Sequence, residues 1–177
     1  MTTDEALMLE FQKGSSEAFE ELFSRYRERI YGYFRRRLQH PSRAEELAQE
    51  AFLAVLKGVE RYEPRALFRT YLYAIAMNLI AAERRKAGRE ISGANAAHEP
   101  AAPAESEASF GVREGVARLD ANDREVLLLR EYEQLSYEEI AVVLRLPLNT
   151  VRSRLFRARV ALREILLEKA PKPEAQP

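Results

Sequence analysis

The chain has no cysteine and no tryptophan, and only two histidines. Each shortage removes a class of function. Without cysteine there are no disulfides, thiolate metal ligands or cysteine nucleophile, which suits a reducing cytoplasm. His40 stands before Pro41 and His98 lies in an Ala/Pro-rich stretch, so neither completes an acid–His–nucleophile set. A Gly-rich phosphate loop is missing too, and no residue pattern calls for a metal, a cofactor or a small-molecule substrate. The expectation is a protein that is not an enzyme. The most apolar segment, Tyr71 to Ala82, is twelve residues long with Asn78 inside it. A helix crossing a bilayer needs about twenty. The opening MTTDEALMLE carries acids where a signal peptide needs a basic stretch, so a cytoplasmic location is expected.

A net charge is also lacking: Lys+Arg and Asp+Glu are both 28. The charges are segregated, however. Ile140 to Arg163 holds six Arg and no acid, whereas Asp120 to Glu139 holds seven acids and two Arg. Six Arg crowd Arg25 to Arg37, and Arg84, Arg85, Lys86 and Arg89 form a third cluster. Such segregation creates local positive fields on a neutral molecule; its plain alternative is solvated helix faces with intramolecular pairing.

What remains is helical periodicity. The spacing predicts helices over about 4–12, from Ser16 through Phe34, from a Ser42/Glu45 capping box to Val59, and over 68–86 with Leu72, Ile75, Ala76 and Leu79 as its stripe. Further helices are expected near 112–119, 122–133, 137–145 and 149–167. Residues 88–110 hold seven Ala and two Pro with few large apolar residues, which reads as a flexible linker. The expected organisation is all-α: a helical bundle (1–87), the linker (88–110), a second helical domain (111–168) and a disordered tail (169–177).

The strongest chemical signal is LSYEEIAVVLRLPLNTVRSRLFRARVALREIL, Leu135 to Leu166. Ser136 and Glu139 form a capping box, Arg145–Pro147 break the helix, and Asn149 or Thr150 can cap the next one. This is a helix-turn-helix, whose second helix enters the DNA major groove. At about 100° per residue, Val151, Leu155, Ala158 and Leu162 form one narrow core stripe, while Arg152, Ser153, Phe156 and Arg157 lie across from it. Arg can fork onto guanine or phosphate, Ser can donate to either, and Phe can touch a thymine methyl. A stray surface Phe is the plain alternative. Arg145 occupies the turn position usually held by Gly, where a left-handed backbone costs an Arg about 1 kcal/mol.

The string ELSYEEIA followed by LPLNTVRSRLFRAR resembles the −35-reading domain of extracytoplasmic-function (ECF) sigma factors. AEELAQEAFLAVLKGVERYEP resembles that family's polymerase-docking helix, and FRTYLYAIAMNLIAAERRK its −10 recognition and melting segment. The likeness runs in order over about residues 5–167. It implies a sigma factor that binds core RNA polymerase and promoter DNA, supports melting, and is controlled by an anti-sigma factor. By the same resemblance, Glu46, Gln49 and Glu50 engage the clamp helices of the β′ subunit, with the β subunit as a further partner. Arg61, Tyr62, Phe68, Tyr71, Asn78, Arg84 and Arg85 serve the −10 element, and Arg152, Ser153, Phe156 and Arg157 the −35 element. Solvated carboxylates and a helix-packing amide are the plain alternatives for Glu46, Glu50 and Asn78. Tyr71 stands where the family usually has Trp, Ala74 and Met77 where Arg is frequent, and the 61–68 loop is about one residue short. An ordinary helix-turn-helix regulator, with residues 1–87 as a sensor, is the rival reading that the residues alone leave open.

Overall fold

The computed structural model describes residues 2–38, 40–65, 67–91 and 107–169. Among them every regular element is helical. The helices are α1 (Asp4–Gln12), α2 (Ser16–Arg35), α3 (Pro41–Gly58), α4 (Phe68–Ile91), α5 (Glu107–Ala117), α6 (Ala121–Glu131), α7 (Tyr137–Leu144) and α8 (Leu148–Lys169), with a 3₁₀ turn at Val59–Arg61. They fall into two compact units, α1–α4 in one and α5, α6, α8 and most of α7 in the other.

In the first unit α2 packs against α1, α3 and α4. Of the apolar positions that its spacing aligns, Leu22, Tyr26, Ile30, Tyr33 and Phe34 are buried, Phe19 is half-buried and Phe23 is exposed. Aromatic rings carry this core outward. Tyr33 meets Tyr73 of α4 at 5.6 Å, Tyr26 meets Phe68 at 5.4 Å, and Phe23 meets Phe52 of α3 at 4.8 Å. Full burial of one such side chain contributes about 1.5–3 kcal/mol, so α2 is the element the unit can least lose. The stripe of α4 is shifted from the expected one: Leu72 and Ala76 are buried with Tyr73 and Ile80, while Ile75 and Leu79 are half-buried. Tyr73 moves the buried centre toward itself because its ring fills the space beside Tyr33.

In the second unit α8 packs against α5 and α6. Val151, Leu155 and Ala158 are buried, in a unit whose core includes Val126 and Leu129, while Leu162, the last of the expected stripe, is half-buried. Gly115 lets α5 approach closely, since a Cβ there would lie 2.9 Å from Leu162 Cδ1.

Helix ends match the sequence in some places and correct it in others. The Ser136/Glu139 box closes both ways: Glu139 N–H donates to Ser136 Oγ at 3.1 Å and Ser136 N–H to Glu139 Oε2 at 2.7 Å. Ser15, not Ser16, caps α2 by accepting from Ala18 N–H at 3.3 Å. Helix α3 begins two residues earlier than the Ser42/Glu45 box predicts. Pro41 takes its first turn and His40 the cap position, with no side-chain cap, because proline's fixed φ suits a first helical residue. Helix α8 likewise starts at Leu148, ahead of Asn149 and Thr150, so neither caps it. The expected linker is helical at both ends. Helix α4 runs past Gly88 to Ile91 and α5 opens at Glu107, since one glycine costs a helix only about 1 kcal/mol. The rest of the linker, residues 92–106, and the tail from 170 onward lie outside the described residues.

Arg145 has φ 54°, the left-handed conformation that the turn pattern predicts. Leu146 N–H then donates to the Ala141 carbonyl at 2.9 Å and closes the end of α7. Gln134 adopts the same conformation (φ 56°) after α6. Replacing Arg145 with Gly removes the Cβ penalty, partly offset by a floppier unfolded chain. Arg145→Gly is expected to raise the melting temperature of the second unit by a few degrees, for about 1 kcal/mol at most. A lower melting temperature in calorimetry would contradict this account of the turn.

Candidate polymerase and nucleic-acid interfaces

On α3 the core stripe includes Leu47, Ala51 and Val55, all buried. At about 100° per residue, Glu46, Gln49, Glu50, Leu53 and Lys57 share the opposite face. Glu46 and Gln49 are exposed and Glu50 is half-exposed. Leu53 is an exposed apolar side chain in the middle of these polar groups. Sequence reasoning missed it, although its spacing from Gln49 and Glu50 places it on their face.

One cation organises the carboxylates. Arg43 Nη1 donates to Glu46 at 2.7 Å and to Glu50 at 3.1 Å. Its Nε and Nη2 fork onto Glu83 of α4 at 2.9 and 2.8 Å. The hydrogen bond from Arg43 holds the Glu83 carboxyl below its ordinary pKa, against an opposing push from burial. The polar face of α3 is thereby tied to the helix that carries the expected −10 residues.

The 61–68 loop is held from α1. Gln12 Nε2 donates to the carbonyls of Val59 and Tyr62 at 2.6 and 2.7 Å. Glu5 accepts the first α4 amide, Phe68 N–H, at 2.8 Å. Asp4, which precedes it, accepts from Tyr26 Oη and, at 2.6 Å, from Arg25. Tyr62 and Phe68 are buried, and their rings back the half-buried Tyr71, which lies 5.3 Å from Tyr62. In this conformation they form the wall behind Tyr71 and offer no face of their own, unlike Arg61, which is exposed. Burial, and then the nearby Glu5, push the Tyr62 phenol up to about 12; among the described residues its hydroxyl has no hydrogen-bond partner. Gly58 makes room for Tyr71, because a Cβ there would sit 2.6 Å from the Tyr71 hydroxyl.

Tyr71, Asn78 and Arg85 stand seven residues apart, which leaves them on one face of α4 with about 20° of drift per step. Asn78 is exposed, as are Arg84 and Arg85. Arg84 lies about 100° around the helix from Arg85 and about 140° from Tyr71.

In the second unit Arg152, Ser153 and Phe156 are exposed on α8, Phe156 at 70%. Val160, one turn further, is exposed as well and extends the apolar strip. Arg152 Nη1 sits 3.4 Å from Asn149 Oδ1, and the Ser153 hydroxyl donates to the Thr150 carbonyl at 3.1 Å. Arg157 behaves differently. Its Nε and Nη2 fork onto the buried Asp123 of α6 at 3.0 and 2.8 Å. Arg159 pairs with Glu131 at 2.8 Å. Intramolecular pairing therefore accounts for part of the basic cluster. No group of three or more His, Asp or Glu that could hold a metal occurs among the described residues, and no helix there is long and apolar enough to cross a membrane.

Residues 22–90 match the family model of Sigma-70 region 2, and residues 111–162 that of Sigma-70, region 4. The chain is 33% identical to the RNA polymerase sigma-H factor of Pseudomonas aeruginosa, over 92% of this chain and 93% of that one. It is 32% identical to the ECF RNA polymerase sigma-E factor of Escherichia coli strain K12, over 90% and 92% of the two chains. The chain belongs to the ECF sigma factors. Sigma factors are transcription initiation factors. Solved structures share the fold: CnrH in complex with the cytosolic domain of CnrY (TM-score 0.72, 23% identity, 94% of this chain and 99% of that one) is one. The sigma factor RpoE in complex with the anti-sigma factor NepR from Bartonella quintana (TM-score 0.70, 23% identity, 86% and 98%) is another. In this sigma factor the region 2 match spans α2–α4 and the region 4 match α5–α8.

The Arg43–Glu83 fork has a pH signature. The folded-state pKa of Glu83 is depressed from the ordinary 4.5. Its contribution to stability is thus present above about 4.5 and lost as pH falls through the lower folded value. Glu83→Gln is expected to melt below wild type at pH 6–7 and to converge with it as pH drops under 4. Melting temperatures that differ equally at both ends would show that the carboxylate is not what Arg43 holds.

Proposed function

We propose that this sigma factor docks on core RNA polymerase through the Glu46/Gln49/Glu50 face of α3, and reads promoter DNA with α4 and α8. The observation that carries the DNA reading is Phe156, a large aromatic left 70% exposed on the second helix of the helix-turn-helix, between Arg152 and Arg157. An unpaired aromatic on a rigid, basic helix is well placed to meet a thymine methyl, while Arg152 and Ser153 donate to base edges or phosphates. On this reading α8 enters the major groove of the −35 element.

The −10 element falls to α4. Tyr71 offers a partly open ring, backed by Tyr62 and Phe68, on which a base that leaves the stack can lie. Asn78 supplies an amide for a base edge, and Arg61, Arg84 and Arg85 supply charge for the strand. Capture of unstacked bases favours the open state over the duplex, so melting needs no chemical step in this chain. The Arg that the family often carries are replaced by Ala74 and Met77, so the grip on the open strand rests on fewer cations. For docking, Glu46 and Glu50 suit a basic partner such as the β′ clamp helices, and Leu53 adds an apolar centre to a polar rim; the β subunit is a further contact. Two fold neighbours are bound to other proteins, one of them an anti-sigma factor, which supports control of this chain by an anti-sigma factor.

Two experiments test the reading. Glu50→Lys, or Glu46→Lys with Gln49→Ala, is expected to lower core-polymerase capture at least tenfold while circular dichroism stays unchanged. Capture at the wild-type level would remove α3 from the docking face. Phe156→Ala is expected to reduce discrimination at a −35 thymine in holoenzyme binding, without changing the salt slope or the melting temperature. Leu155→Ala, its buried neighbour, is expected to cost about 2–5 kcal/mol of stability. A stability loss of that kind in Phe156→Ala, with discrimination intact, would put Phe156 in the core.

A further inference from the structure

Arg157 lies on the DNA side of α8, yet its guanidinium is already engaged. Asp123 sits at the start of α6, where Asp120 Oδ1 caps the helix by accepting from Asn122 and Asp123 N–H at 2.9 and 3.3 Å. The Asp123 side chain is only 11% exposed, whereas Arg157 remains 57% exposed. The carboxylate takes the Nε–H and one Nη2–H of the guanidinium. A guanidinium has five N–H donors in one plane, so three remain, and two of them form a second, outward edge with parallel donors. That edge matches the O6 and N7 acceptors of guanine.

We infer that Asp123 is a positioning residue for −35 recognition: it fixes Arg157 as a base-reading fork and withholds it from the phosphates. The inference rests on α8 being the DNA-reading helix. Two physical effects lead to it. The fork removes the rotamer freedom that a free Arg would lose on binding. The pair is also nearly neutral as a unit, so its pull on the phosphate backbone is weak, while its outward donors keep their direction. A freed Arg157 would instead follow the backbone as a mobile cation, adding affinity for every sequence and selectivity for none.

The test is holoenzyme binding to promoter duplexes with −35 point variants at several salt concentrations. In the wild type, replacing the guanine read by Arg157 is expected to weaken binding about 5- to 150-fold. In Asp123→Asn that ratio is expected to shrink several-fold, binding to the variant duplexes to strengthen, and the salt slope to steepen by about one. In an Arg157→Ala background Asp123→Asn is expected to change neither. Arg157→Lys keeps the charge but lacks the planar fork; it should lose the same discrimination without weakening binding to the variants, and it covers the case in which Asp123→Asn fails to fold. Unchanged discrimination and slope in a folded Asp123→Asn protein would overturn the inference. So would effects that persist without Arg157, because Asp123 would then act through its own charge. If Phe156→Ala and Arg152→Ala also leave discrimination untouched, the assignment of α8 to DNA fails instead.

Discussion

The burial of one face of α2 is the constraint on which the first unit depends. Its stripe from Leu22 to Phe34 lies under α1, α3 and α4 together, so each of those helices spends its apolar face on the same core. What is left outward is polar, rich in carboxylates on α3 and in Arg on α4, with Leu53 and Tyr71 as apolar or aromatic interruptions. α8 plays the corresponding part in the second unit. Val151, Leu155 and Ala158 are committed inward, which leaves Arg152, Ser153 and Phe156 outward. Function follows from what the cores do not use.

Charged side chains on these outward faces are oriented before any partner arrives. Arg43 gathers Glu46, Glu50 and Glu83, joining the proposed docking face of α3 to α4. Asp123 holds Arg157. Exposed ion pairs add little stability, so orientation is the larger consequence. A partner that binds Glu46 and Glu50 competes with Arg43, and a base that meets Arg157 finds its fork already aimed. Gln12 and Glu5 do similar work with neutral and backbone groups, holding the 61–68 loop against α1.

Much of this was legible in the sequence, because amphipathic spacing and capping chemistry are local. Most of the α2 and α8 stripes, the Ser136/Glu139 box and the left-handed Arg145 follow from residues within a few positions of one another. Errors arose where two neighbours offer the same chemistry, as with Ser15 and Ser16, or where packing set the phase, as when Tyr73 and Ile80 displaced Ile75 and Leu79. The forks were invisible for a different reason. Arg157 and Asp123 are 34 residues apart and Arg43 and Glu83 are 40 apart, and nothing local distinguishes a paired Arg from a solvated one. Tyr62 and Phe68 could be assigned to the −10 loop from the family pattern, but only three dimensions reveal that their rings face inward behind Tyr71.

On the proposed reading, two separate outward faces, one on each unit, direct polymerase to a promoter. The most direct measurement is run-off transcription by purified core polymerase on a pool of genomic promoter fragments, with and without this chain. Transcripts are expected that depend on the chain and arise from fragments sharing a −35 and a −10 element at a common spacing. Chain-dependent transcripts lacking either shared element, or no transcripts despite binding to core polymerase, would contradict it.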